Sequence, residues 1–143
     1  MPEELNMLFR SQIRVLYSGE SQLLIALPAM RASATDPALA ETLSVMLNQA
    51  KEHIRFLAGI CQQLQVQAIG EHCESMEGLI SEIERYRSQD GKVPIKNAML
   101  ISGAQQISML QVAGYNTARN YAEPLNLHDA RRHLTGAREH AVV

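Results

Sequence analysis

The chain has 143 residues, which is one domain by length and long enough to bury a real core. Its formal charge of −2 leaves no field that points to nucleic acid or anionic lipid, and no apolar run reaches the roughly 18 residues needed to cross a bilayer. The opening Met-Pro-Glu-Glu lacks the basic and apolar regions of a signal peptide, so the expected location is the cytoplasm, with Cys61 and Cys73 as free thiols.

Ala, Leu, Met, Gln and Glu dominate the composition and favour helix. A first long helix is predicted from about Glu4 to about Ala34. Pro28 lies within it and lacks the amide that would reach back four residues, so a kink or local loosening is expected there. Ile13, Leu16, Leu24 and Leu27 form its apolar stripe, and Glu20 sits among them. Thr35-Asp36-Pro37 ends that segment. Asp36 suits the cap of the next helix and Pro37 its first position.

The second long helix is predicted from Pro37 to about Leu64 or Val66. Leu43, Met46, Ala50, Leu57 and Ile60 make its stripe, which His53 interrupts. Gly70 closes a short connection. A shorter helix then runs from about Glu74 to Arg87, with Met76, Leu79, Ile80 and Ile83 on its apolar side. Asp90-Gly91 reads as a turn. The third long helix starts near Pro94 and ends near Glu123, where Pro124 disfavours continuation. Leu100, Ala104, Ile107, Gly114 and Ala118 form its stripe, interrupted by Gln111. Asn126 suits a left-handed residue at its end. A last short helix begins near His128, and its final turn is expected to fray.

No strand-like alternation of useful length occurs. The expected fold is all-α: an up-down four-helix bundle, residues 1–143 as one domain, with an extra short helix between the second and third long helices. Six of the eight glycines, Gly19, Gly59, Gly78, Gly103, Gly114 and Gly136, fall inside predicted helices. Each costs up to about 1 kcal/mol relative to Ala. Close approach of crossing helices is the expected return.

Three polar groups in the middle of three apolar stripes raise the functional question. Bundle cores can hold metal pairs, with a Glu from each of two helices and a Glu-x-x-His pair from each of the others. This chain carries fragments of that pattern. Glu20 and His53 stand at suitable places. The positions three and four before His53 are Ala50 and Gln49, and the central pair of the third long helix is Ser108 and Gln111, all uncharged. His133 and His140 share a face of the last helix. One anionic oxygen donor neutralises little of the charge of two metal ions. Two readings stay open. Glu20, Gln49, His53, Ser108 and Gln111 could form a buried polar network with no cofactor, or Glu20, His53 and His140 could hold a weakly bound iron, manganese or zinc ion. Glu71, His72, Cys73 and Glu74 read as a solvated turn. There is no phosphate-binding Gly-rich loop, nucleophile elbow or zinc-spaced Cys pair, and no catalytic residue is assigned.

At these residues the chain resembles the YciE/YciF family of bacterial ferritin-like proteins, often linked to stress responses. The resemblance begins near Leu8 and covers nearly all that follows. It rests on Leu16-Tyr17-Ser18-Gly19-Glu20-Ser21-Gln22-Leu23, on Ala26-Leu27-Pro28-Ala29-Met30 and on Cys73-Glu74-Ser75-Met76-Glu77-Gly78-Leu79-Ile80. Ala104-Gln105 and Ala113-Gly114-Tyr115-Asn116-Thr117 extend it. The resemblance implies a ferritin-like bundle and commonly a homodimer. It also implies carboxylate metal ligands at the centre. Glu20 matches that pattern, whereas Asn48, Gln49, Ser108 and Gln111 replace its acidic positions, and Glu139-His140-Ala141 stands near its last acidic run. The function expected is that of a non-enzymatic structural or stress-associated protein with a degenerate dimetal site. The alternative is a metal-binding relative with a reduced ligand set and redox or peroxide chemistry.

Overall fold

Short links and strong stop signals divide the chain. The computed structural model describes residues 2–89 and 91–141, which form helices α1 (Pro2–Ser33), α2 (Pro37–Leu64), α3 (Glu74–Ser88), α4 (Val93–Ala122) and α5 (His128–Ala141). No strand occurs among the described residues. Asp90 of the expected turn and the last two residues, where fraying is expected, lie outside them.

Local chemistry sets most of these boundaries. Asp36 adopts an extended backbone, and its Oδ1 accepts from the Ala38 amide at 3.2 Å, satisfying one free donor at the start of α2. Pro37 fits next because its missing amide would have no partner there. Within α1 the helix runs on through Pro28 to Ser33, so the lost amide donor does not end it. Gln65 closes α2 in the left-handed region at φ 58°, with the amides of Gln65 and Val66 returning to Gln62 and Cys61. Asn126 takes the same conformation at φ 57° after α4, as its side chain suits.

The start of α3 is fixed differently. Cys73 occupies its cap position without a side-chain cap bond. Ser18 Oγ accepts from the Cys73 amide at 3.0 Å, and Gln22 Nε2 donates to the Cys73 carbonyl at 3.0 Å. Two polar residues of α1 thus pin the entry of α3 onto the bundle.

α1 packs along α2 and α4 along α5, and α1 also meets α4. Together these four make the bundle, and α3 lies across α4 and α1 as the added short helix. The apolar core falls into two clusters. One gathers Leu23, Leu27, Met30, Leu43 and Ile107 with Met76 and Ile83 of α3. The other gathers Phe9, Ile13, Leu57 and Tyr115 with Leu134 and Ala137 of α5. α5 spans only 14 residues, about 21 Å at 1.5 Å per residue, and covers one end of the bundle. α3 covers the other.

The helical glycines divide by what lies over them. A Cβ at Gly103 would stand 2.8 Å from Ile83 Cγ1, and one at Gly114 would stand 2.8 Å from Leu16 Cδ2. These two positions let α4 approach α3 and α1. The same expectation does not hold at Gly59, Gly78 and Gly136, where nothing lies within 4 Å, because those faces point away from neighbouring helices. Gly103→Ala is therefore expected to destabilise the fold by about 1–3 kcal/mol, since buried Ile83 must shift. Gly59→Ala is expected to stabilise it by up to about 1 kcal/mol. Urea unfolding of both variants checks the opposite signs, and equal shifts would contradict the packing described.

Candidate functional site

The polar interruptions of the three stripes meet in one layer. Glu20 lies between Leu16 and Leu23 on α1, His53 between Ala50 and Leu57 on α2, and Gln111 between Ile107 and Tyr115 on α4. In each case one flanking residue belongs to each apolar cluster. The layer therefore separates the two clusters. Glu20 and His53 are each 2% exposed, and Gln111 is 8% exposed.

All observed hydrogen bonding in this layer converges on one atom. Gln111 Nε2 donates to Glu20 Oε1 at 2.8 Å, and the Tyr115 hydroxyl donates to the same oxygen at 2.9 Å. His53 Nδ1 lies 3.3 Å from it. With hydrogen on Nδ1, His53 is the third donor to this oxygen. Glu20 Oε2 and His53 Nε2 are buried without a hydrogen-bond partner. Among the described residues no Lys or Arg forms an ion pair with Glu20.

The remaining expected site residues lie apart from this arrangement. Ser108 is buried, but its Oγ has no hydrogen-bond partner. Gln49 is half-buried and makes no side-chain hydrogen bond to the layer among the described residues. His133 and His140 are exposed, because Ala130, Leu134 and Ala137 form the core face of α5. They flank that face. The His140 ring lies nearly parallel to that of His53, at a 5.8 Å centroid distance, and His133 stacks in the same way on Phe56 at 5.9 Å. Phe56 and Tyr115 meet the His53 ring edge-on.

Tyr115 is the member of the layer that the stripe pattern missed. It is fully buried and follows Gln111 by four residues, so it shares its helical face. A phenol at a core position needs a partner, and that was the available signal. Burial pushes the Tyr115 hydroxyl well above its usual range, and the charge and hydrogen bond of Glu20 push it further. Cys61 behaves as a buried apolar residue, and burial also raises its thiol.

The donor set decides what this layer can hold. Among the described residues no three His, Cys, Asp or Glu side chains come together as a metal ion would need. A pair of metal ions requires several anionic oxygens, and Glu20 is the carboxylate of this layer. The residues do not fit a dimetal centre.

The Tyr115 hydroxyl carries a prediction. Its folded-state value lies above the unfolded value near 10, so the folded protein keeps a proton that the unfolded chain releases. Stability is expected to fall as pH rises past about 10, by up to about 1.4 kcal/mol per pH unit from this group. Tyr115→Phe should remove that share of the decline. It should also cost about 1–3 kcal/mol at neutral pH through the lost bond to a charged acceptor. Denaturant unfolding at neutral pH and above pH 10 measures both effects. An unchanged alkaline decline would count against the assignment.

Known proteins share this architecture. The sequence profile of a family described as a domain of unknown function, DUF892, matches residues 4–142. Protein YciF of Escherichia coli strain K12 is 26% identical over 121 residues, covering 82% of this chain and 72% of that protein. The structure of YcfI from Rhodopseudomonas palustris, for which a structural role has been suggested, superposes with a TM-score of 0.89 at 26% identity, covering 99% of this chain and 88% of the other. The crystal structure of YciF, described as a stress protein of E. coli, superposes with a TM-score of 0.90 at 24% identity, over 96% and 87% of the two chains.

Proposed function

This chain belongs to the DUF892 family and is a homologue of YciF, and on that premise we propose that it is a non-enzymatic, stress-associated structural protein. In this reading it is a cytoplasmic, ferritin-like homodimer. Its central layer, where the YciE/YciF resemblance implies metal ligands, works instead as a polar clamp that sets the register of α1, α2 and α4. The observation that carries the reading is the charge of the layer. Glu20 is its carboxylate, and its partners Gln111, Tyr115 and His53 all bond through one oxygen. A buried hydrogen-bonded group of this kind fixes which helix faces meet, because any slip leaves donors and acceptors unpaired. The names given to the relatives, a stress protein and a suggested structural protein, support the same kind of role. Among the described residues no helix is long and apolar enough to cross a membrane. Exposed apolar side chains, Ile25 at 81% and Ile69 at 75%, support self-association.

A second reading rests on the two unpartnered atoms. Glu20 Oε2 and His53 Nε2, with His140 nearby, would hold a single weakly bound iron, manganese or zinc ion. Purification without chelator, followed by elemental analysis and mass measurement over a range of concentrations, separates the two. The expected result is a metal-free dimer. Recovery of about two metal ions per chain would overturn the first reading, as a dimetal centre demands that stoichiometry. Retention of added ferrous or zinc ion that is lost in Glu20→Ala would establish the second. A monomer at all concentrations would remove the homodimer.

A further inference from the structure

A partly enclosed cavity of about 260 Å³ opens between α1, α4 and the first turn of α3. Val15, Leu16, Met76 and Leu110 give it apolar walls, and Glu20 and Gln111 form part of its inner surface. It exists because α3 is held at Cys73 by Ser18 and Gln22, while Gly19 and Gly114 place no side chain in the space.

Its lining mixes acceptor oxygens with the hydroxyl of Ser75 and the thiol of Cys73. Gln12 lies at the wall and uses its amide on the Gly114 carbonyl at 3.1 Å. Thr117 uses its hydroxyl hydrogen on the Ala113 carbonyl at 2.9 Å. Both still present an oxygen lone pair. Deeper in, Glu20 pairs with His53 and with no Lys or Arg among the described residues, and its Oε2 has no partner. Oε2 is itself closed off from water. The attraction of a buried charge extends over several ångströms at low dielectric, so a cation in the cavity gains from it without displacing Gln111. One feature opposes this field. The start of α3 reaches the wall at Cys73 and Ser75, and its amides favour an anion. Glu74 and Glu77 in that first turn offset it.

We propose that this cavity is a binding site for a small protonated amine with an apolar body. The ammonium faces Glu20 and the acceptor oxygens of Gln12 and Thr117. The apolar body lies against Val15, Leu16, Met76 and Leu110. A cavity of roughly 150 Å³ holds benzene, so by proportion the space here suits a molecule of about ten non-hydrogen atoms. The inference rests on the reading that Glu20 holds no metal ion, since a bound metal cation would cancel the attracting charge.

Phenethylammonium is a suitable probe, with phenylacetate as a control of matched size and opposite charge. Binding is followed by calorimetry and by ligand-detected NMR on the full-length protein at neutral pH, with metal content measured on the same sample. Saturable binding of phenethylammonium and at least tenfold weaker binding of phenylacetate are expected. Glu20→Gln should weaken amine binding at least tenfold. Because that substitution touches the core, Ala113→Trp serves as a second variant. Ala113 is exposed at the cavity mouth, so the indole should block entry while Glu20 keeps its partners. Equal binding of the anion, unchanged amine binding in Ala113→Trp, or no saturable binding up to about 10 mM on metal-free protein would overturn the proposal, since that limit corresponds to a negligible affinity. Stoichiometric metal in the sample would instead overturn the metal-free reading on which it stands.

Discussion

One carboxylate organises the interior of this protein. Glu20 is surrounded by apolar side chains, where an unpaired charge is very unfavourable, and three donors from α2 and α4 meet it. Each donor comes from a position that the helical repeat places at the same height in the bundle. Moving α2 or α4 along its axis by one residue, about 1.5 Å, would break these bonds and strand polar atoms in the core. The two apolar clusters tolerate more freedom, because dispersion and burial are not directional. Geometry at the layer therefore limits the packing on either side of it.

The second organising constraint is the short last helix. α5 covers one apolar cluster, and α3 must cover the other. Where α3 meets α1, Ser18 and Gln22 of α1 hold the start of α3 by its backbone, and Gly19 admits the Cys73 side chain against α1. That junction is polar at its edge and apolar beneath, which leaves a cavity beside Glu20. The cavity is a consequence of how the bundle is capped, and Gln12 and Thr117 at its wall each donate to a backbone carbonyl.

The chemistry open to the layer follows from its charge. Amides and hydroxyls hydrogen-bond well but supply no anionic oxygen, so the Gln111 and Ser108 positions cannot do for a metal pair what carboxylates would. Tyr115 is held in its neutral form by burial and by Glu20, which fixes it as a donor. His53 is enclosed by Phe56 and Tyr115 edges, with the exposed His140 ring lying parallel to its own. The arrangement is suited to holding helices in register and to placing one carboxylate beside a pocket.

The helices, their caps and the height of the polar layer are written locally in the sequence. Asp36-Pro37, Asn126 and the spacing of Glu20, His53 and Gln111 within their stripes act through neighbours a few residues away, and periodicity alone locates them. The fate of each polar atom was not legible in the same way. Gln49 and Ser108 are on suitable turns, yet a rotation of part of a helical turn places one half out of the core and leaves the other without a partner. Tyr115 was absent from the stripe and proved to be a donor in the layer. His133 and His140 share a face, but only the packing of Leu134 and Ala137 decided that this face is the rim of α5. Gly103 and Gly114 needed a crossing helix to acquire a purpose, whereas Gly59 has none. Which residues reach the centre of the bundle follows from a repeat of 3.6 residues and can be read along the chain. Which atoms touch there depends on rotations and offsets between helices far apart in the chain, and packing alone sets those.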